Sequence, residues 1–269
     1  MTKGKASVDY LGRSGVVTPQ TAPSWDFIYE ASLIKQPKYE LGDRVVLPDG
    51  REFRYAKSDA ECYAGQAVEF SNTGFQAWGA IAVSQVVGDK QITITGASHA
   101  VVAKDELRGG YMFVAGPVTA NKEVQFRGII GNLAAGLNAN VTIYLDGPLT
   151  NTVSAGVNAC EVFANPYSAI RLAAGMTTDS RGKPGVAAVY VSAANMYFWI
   201  QTRGPMWAGS QNTLIDRDIG GTWKHDGTLE GMSAVVNGTI CGAAHTSQYA
   251  GYSMVGNNVG NGPLFMLQG

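Results

Sequence analysis

Charge is scarce in this sequence: Lys, Arg, Asp and Glu make up 15 % of 269 residues, against about a quarter in ordinary soluble chains. The charges balance to a formal −1 with a pI near 6.3. That supplies no bulk attraction to nucleic-acid phosphate or an anionic membrane, so neither is an expected partner. Cysteine is rarer still. Cys62, Cys160 and Cys241 stand far apart, and an odd number cannot close a disulfide framework; they read as buried thiols made in a reducing cytoplasm. Long apolar runs are missing too. Nothing approaches the roughly 18 residues of a membrane span, and the two lysines of residues 1–10 are not followed by the apolar run of a secretory signal.

Catalytic patterns are equally absent. There is no phosphate-cradling Gly-x-x-x-x-Gly-Lys-Ser/Thr and no Gly-x-Gly-x-x-Gly between a strand and a helix. The nucleophile-elbow pattern fails at Gly231-Met232-Ser233-Ala234-Val235 and at Gly251-Tyr252-Ser253-Met254-Val255. Only His99, His225 and His245 are available for proton transfer or metal binding. Cys241-x-x-x-His245 offers two zinc ligands, but a structural site needs four and no second pair has suitable spacing. Asp216, Asp218, Asp226 and Glu230 are the densest carboxylates; they suit glycosidase chemistry or, as the favoured reading, an Arg-linked polar surface. No catalytic residue, cofactor or metal is expected.

What fills the sequence instead is glycine, 34 of them, interleaved with Val, Thr, Tyr and Phe, a composition of short strands and tight turns. Residues 1–35 carry Pro19 and Pro23 and no clear periodicity until Trp25-Asp26-Phe27-Ile28-Tyr29. They read as an extended arm, either a loose terminus or a segment anchored on a neighbouring subunit by Trp25, Phe27 and Tyr29. Leu41 to Tyr55 reads as a hairpin turning at Asp49-Gly50, with Phe53 and Tyr55 on one face and Arg54 on the other. Ser58 with Glu61 three residues later forms a capping box, which places a short helix in 58–70 despite Gly65. Gln91 to Thr95 alternates as a strand.

After Lys104-Asp105-Glu106-Leu107-Arg108, strand candidates recur at 111–115, 123–130, 141–145, 169–173, 186–191 and 196–202. Breakers separate them at Gly116-Pro117, Asp146-Gly147-Pro148, Asn165-Pro166, 181–185 and Gly204-Pro205. Shorter candidates near 214–215, 234–236 and 239–241 and a final strand at 263–267 follow, with no fixed-period repeat. The fold class expected is all-β, a β-sandwich, jelly-roll or barrel domain (109–269) preceded by a small α+β domain (36–108) and the extended arm (1–35).

The densest aromatic segment runs from Tyr197 to Trp207. Tyr197 and Trp199 fall on one face, Phe198 and Ile200 on the other, so both faces of this strand need cover. Either another layer of the same chain supplies it, or a partner subunit covers one face, with Arg203 and Trp207 as rim or anchor groups.

Leu41-Gly42-Asp43-Arg44-Val45 through Asp49-Gly50-Arg51-Glu52-Phe53-Arg54-Tyr55-Ala56, followed by Ala64-Gly65-Gln66, resembles the N-terminal signature of capsid cement (decoration) proteins of tailed bacteriophages. Gly109-Gly110-Tyr111, Gly128-Ile129-Ile130-Gly131-Asn132, Ala164-Asn165-Pro166-Tyr167 and Phe198 through Pro205 are similar to later parts of the same proteins. The likeness covers most of residues 41 to 210 and none of its motifs is catalytic. It implies a β-rich virion subunit, made in the host cytoplasm and usually trimeric, that binds the major capsid protein on the outside of the head where capsomers meet. The Gly/Asn-rich loops and exposed aromatics also suit a tail-fibre, tailspike or host-recognition module with a surface glycan as partner.

Overall fold

The computed structural model describes residues 7–10, 13–15, 25–71, 76–96, 99, 101–115, 124–173, 182–208, 220–223, 227–231, 235–236, 239–240, 248–255 and 264–268. The chain forms two compact units. Residues 1–71 and 167–269 make the first and residues 72–166 the second.

The first unit opens with β1 (Ser7–Tyr10), β2 (Arg13–Gly15), the one-turn helix α1 (Trp25–Ile28), β3 (Arg44–Val46), β4 (Glu52–Lys57) and β5 (Ala67–Phe70). The second unit follows with β6 (Gln76–Val83), β7 (Gln91–Ile94), β8 (Tyr111–Ala115), β9 (Gln125–Asn132), β10 (Val141–Leu145) and β11 (Ala159–Phe163). The chain then returns to the first unit with β12 (Ile170–Leu172), β13 (Gly185–Ala187), β14 (Tyr197–Trp207), β15 (Gly220–Trp223) and β16 (Leu229–Gly231). It ends with β17 (Val235–Val236), β18 (Thr239–Ile240), β19 (Gln248–Val255) and β20 (Leu264–Leu267). The all-β expectation holds.

The second unit is a closed barrel in the order β10-β7-β6-β11-β8-β9. Closure leaves no unpaired strand edge. The period-2 alternation of Val141, Ile143 and Leu145 on β10 and of Ile92 and Ile94 on β7 sends these side chains inward, where they meet Met112, Val114, Ile129, Cys160 and Val162. Polar residues plug the ends. Buried Asn132 accepts the Leu107 N–H at 2.9 Å and donates to the Ala103 and Leu133 carbonyls. Gln125 accepts the Thr150 and Asn151 N–H groups, so the buried amides are satisfied.

The barrel is inserted into a hairpin of the first unit. β5 and β12 are antiparallel partners with Phe70 opposite Ile170, and the Ser71 N–H donates to the Ala169 carbonyl at 2.9 Å. The boundary expected at 108/109 therefore falls inside the barrel, between β7 and β8. The composition change there marks a loop, because strands on both sides of it close one sheet. No helix occurs among the described residues of 36–108, so the α+β expectation for that stretch is corrected.

The first unit carries a twelve-stranded sheet in the order β16-β15-β19-β20-β14-β4-β3-β1-β2, with β13 pairing both β14 and β5, and β5 pairing β12. Its central strand, β14, changes partner along its length: Tyr197 to Arg203 run beside β4, Gly204 to Trp207 beside β20. The expected break at Gly204-Pro205 is this crossover. Gly204 adopts φ +94°, and a Cβ there would meet the Arg51 Cα at 2.8 Å, so only glycine fits. Gln201 Nε2 donates to the Arg203 and Pro205 carbonyls across the bend, and proline is tolerated at such an irregularity.

Two local expectations are overturned. Residues 58–66 form bends, a turn and the isolated bridges of Ser58 and Cys62 rather than a helix, and β5 begins at Ala67. Gly65 takes φ +76°, and Ser58 spends its hydroxyl on the Ala193 carbonyl and Met196 N–H instead of capping. Ladder bonds to Val191, Ile170 and Met196 outweigh the local capping signal. The first 35 residues are not wholly an extended arm either. β1 pairs with β3 through Val8 and Val45, and Ile28 is fully buried beside Phe53 and Tyr55. The Asp49-Gly50 hairpin is as expected, with Gly50 at φ +87°.

Candidate functional site

The aromatic strand β14 supplies two cores rather than an external face. Phe198 and Ile200 pack with Ala56, Cys62, Val68, Ile170 and Val191, while Trp199 packs on the other side with Tyr39, Tyr55, Phe53 and Ile28. All three β14 residues are wholly inaccessible. The Trp199 ring lies 5.0 Å from Tyr55, 5.2 Å from Tyr39 and 6.2 Å from Phe27. Tyr197 stacks on Tyr55 at 6.0 Å. The same chain therefore covers both faces: Trp199 is wholly interior, and Phe27 and Tyr197 pack half-buried against the same cluster. Trp25 begins α1, and its side chain lies outside the described residues.

Tyr29, Arg203 and Trp207 do reach the surface. The structure brings the first two to one neighbourhood through adjacent residues of β4 and its turn. The Tyr29 hydroxyl accepts from Arg51, whose side chain is held by Asp49 at 2.7 Å. Arg203 lies 3.6 Å from Glu52, which Arg44 grips at 2.6 Å. Arg203 is the exposed, screened member of this trio, so its pair contributes little to stability. Trp207 stands farther along β14, half-exposed and opposite Leu264.

Asp216, Asp218, Asp226, His225, His245, Cys241 and the Glu230 side chain lie outside the described residues. Among the described residues no group of three or more His, Cys, Asp or Glu could hold a metal ion, and no helix is long and apolar enough to cross a membrane. Cys62 and Cys160 are buried, and burial pushes both thiols up to about 12. Neither is a thiolate nucleophile at neutral pH.

One apolar surface was not singled out by the sequence reading: the outer wall of the barrel along β9, β8 and β11, where large apolar side chains cluster beside Glu161. Inward Met112 and Val114 leave Tyr111 and Phe113 pointing outward. Phe113 faces Phe126 across to β9, and Tyr111 faces Phe163 across to β11. Opposite Tyr111 on β9 stands Gly128. With no side chain there, the Tyr111 ring reaches Phe126 and stacks on it at 5.3 Å and 14°. Phe126 remains 55 % exposed, Ile130 two positions beyond Gly128 is 54 % exposed, and Phe163 is 37 % exposed. Phe126, Ile130 and Phe163 thus stand against water on β9 and β11, with Tyr111 and Phe113 half-buried between them. The signal was present in Tyr111-Met112-Phe113-Val114-Ala115, which is apolar on both faces just as 197–200 is. Here one face fills the barrel and the other is left outside.

No family model, curated protein or solved structure matches this chain.

Proposed function

We propose that this protein is a structural virion subunit of a tailed phage. It binds the major capsid protein on the outer face of the head between capsomers, as a homotrimer, and stabilises the shell. The observation that carries the reading is the aromatic wall of Tyr111, Phe113, Phe126, Ile130 and Phe163. A closed barrel has no strand edge to lend, so its association runs through side chains, and clustered exposed aromatics are the groups that supply binding energy at protein interfaces. The low charge supports the same reading, since interface centres are depleted of charged residues. So does the resemblance of residues 41–210 to cement proteins.

The mechanism is mass action. Contacts made only with the assembled shell stabilise that shell relative to its opened state, and attachment through several subunits multiplies contacts that are weak one at a time. Heads lacking the protein should release their genome at a lower temperature than decorated heads; equal release temperatures would contradict a stabilising role. Immunogold labelling of virions tests location, with gold expected over the head. Gold confined to the tail tip would replace this reading by a host-recognition module.

A further inference from the structure

A second exposed aromatic group, in the first unit, has the opposite chemistry. Cys62 and Val191 form an isolated ladder pair, each donating its N–H to the other's carbonyl at 2.9 Å, and both side chains are fully buried. Their neighbours Tyr63 and Tyr190 consequently point outward from two segments far apart in sequence. The two rings lie nearly parallel, 5.8 Å apart at 16°, with 42 % and 49 % of each residue exposed. Between their hydroxyl ends sits Glu61. Tyr63 donates to Oε2 at 3.2 Å and Tyr190 donates to Oε1.

These hydrogen bonds to the carboxylate push both phenols upward, so they remain protonated donors at neutral pH. Among the described residues no cation pairs with Glu61, whereas Arg44, Arg51, Arg171 and Arg203 all sit on other carboxylates. The result is a flat, preorganised aromatic step ending in a row of oxygen acceptors, fixed by neutral donors, on a surface where it closes no core.

We propose that Glu61, Tyr63 and Tyr190 form a binding site for a neutral glycan. A pyranose presents a flat C–H face that fits the outer face of a tyrosine ring. Its hydroxyls then reach past the ring edge to Glu61, where hydrogen bonds to an ionised acceptor are about twice as strong as neutral ones. The carboxylate already holds one phenol per oxygen, which leaves a lone pair on each for adjacent sugar hydroxyls. A hydroxyl donor adds to this set without stripping water from a second charge. The site is independent of the capsid reading, since it lies on other residues than the barrel wall.

Saturation-transfer NMR on the full chain, with methyl glycosides of glucose, galactose, mannose and N-acetylglucosamine, tests this directly. The expected result is transfer to the ring C–H protons of at least one glycoside. Glu61→Gln and Tyr190→Ala should each weaken that binding by about tenfold, the scale of one charge-assisted hydrogen bond or one stacking face. Tyr190→Phe, which keeps the ring, should lose less than Tyr190→Ala. Thermal melts of the variants verify that the fold is kept. No transfer to any of the four glycosides, transfer unchanged in the variants, or displacement of the sugar signal by arginine methyl ester at equal or lower concentration would overturn the proposal. The last outcome would make this a site for a basic side chain. Unaltered binding of the Glu61→Gln chain to heads would leave the capsid reading untouched while this one is judged alone.

Discussion

Asp43 stands opposite Tyr55. Its carbonyl accepts the Tyr55 N–H at 2.9 Å, one residue before β3 begins, and its side chain is carried out of contact with solvent. Oδ2 accepts the Glu40 N–H at 2.8 Å; Oδ1 is buried with no partner among the described residues. Burial raises the Asp43 carboxyl to about 6; the hydrogen bond from the Glu40 N–H opposes the rise, the Glu40 charge adds to it, and Lys35 and Arg54 oppose it. A carboxyl raised above its unfolded value of 3.8 favours the protonated folded state. Its contribution is therefore complete below pH ~4 and is lost as pH rises to ~6.

Asp43→Asn should accordingly flatten the stability profile between those limits. Denaturant unfolding across this range should show the wild type losing on the order of 2–3 kcal/mol more than the variant as pH rises, with the variant at least as stable at pH 7. Parallel profiles for the two chains would show that Asp43 titrates normally in the fold.

Gly204 sets the crossover of β14 and should be intolerant in a way that an open turn glycine is not. Gly204→Ala meets both a left-handed backbone and the Arg51 backbone, whereas Gly50→Ala at φ +87° meets nothing within 4 Å. Urea denaturation should find a loss of about 1 kcal/mol at Gly50 and ~3 kcal/mol or more at Gly204. Equal losses would mean that the contact with Arg51 carries no weight.

The insertion of the barrel between paired strands predicts that it is dispensable to the first unit. Replacing residues 72–166 by a short glycine-containing turn keeps β5 and β12 as an ordinary hairpin. The shortened chain should unfold cooperatively with Trp199 fluorescence reporting a buried indole. Loss of cooperative unfolding would make the barrel part of the first unit's folding unit.

These features show what a linear reading captures. Tyr111–Ala115 and Val141–Leu145 were legible to the residue, because alternation and flanking turn residues act within a few positions. Gly204-Pro205 reads locally as a stop, and only the pairing of Pro205 with Met266, some sixty residues away, turns it into the bend of one continuous strand. The capping box at Ser58 and Glu61 was likewise a sound local signal that long-range ladder bonds overrode. At 197–200 the need for cover on both faces was legible, but not who supplies it. Tyr39, Tyr55 and Ile170 come from remote segments, and the chain covers itself. The barrel wall escaped notice because which face of Tyr111–Ala115 is filled depends on barrel closure, a property of six strands together. The discontinuous first unit depends in the same way on the pairing of Phe70 with Ile170.

The most direct test of the central claim is the binding of purified protein to undecorated heads, measured by co-sedimentation for the wild type and for a Phe126→Asp, Ile130→Asp chain. Both side chains point away from the barrel core, so the variant should keep its fold while placing two charges on the wall. The account predicts a loss of affinity of at least a hundredfold, the ~2.7 kcal/mol expected when interface anchors are replaced by buried unpaired charge. Unchanged binding by a folded variant would contradict it, and would move the contact surface off the barrel wall.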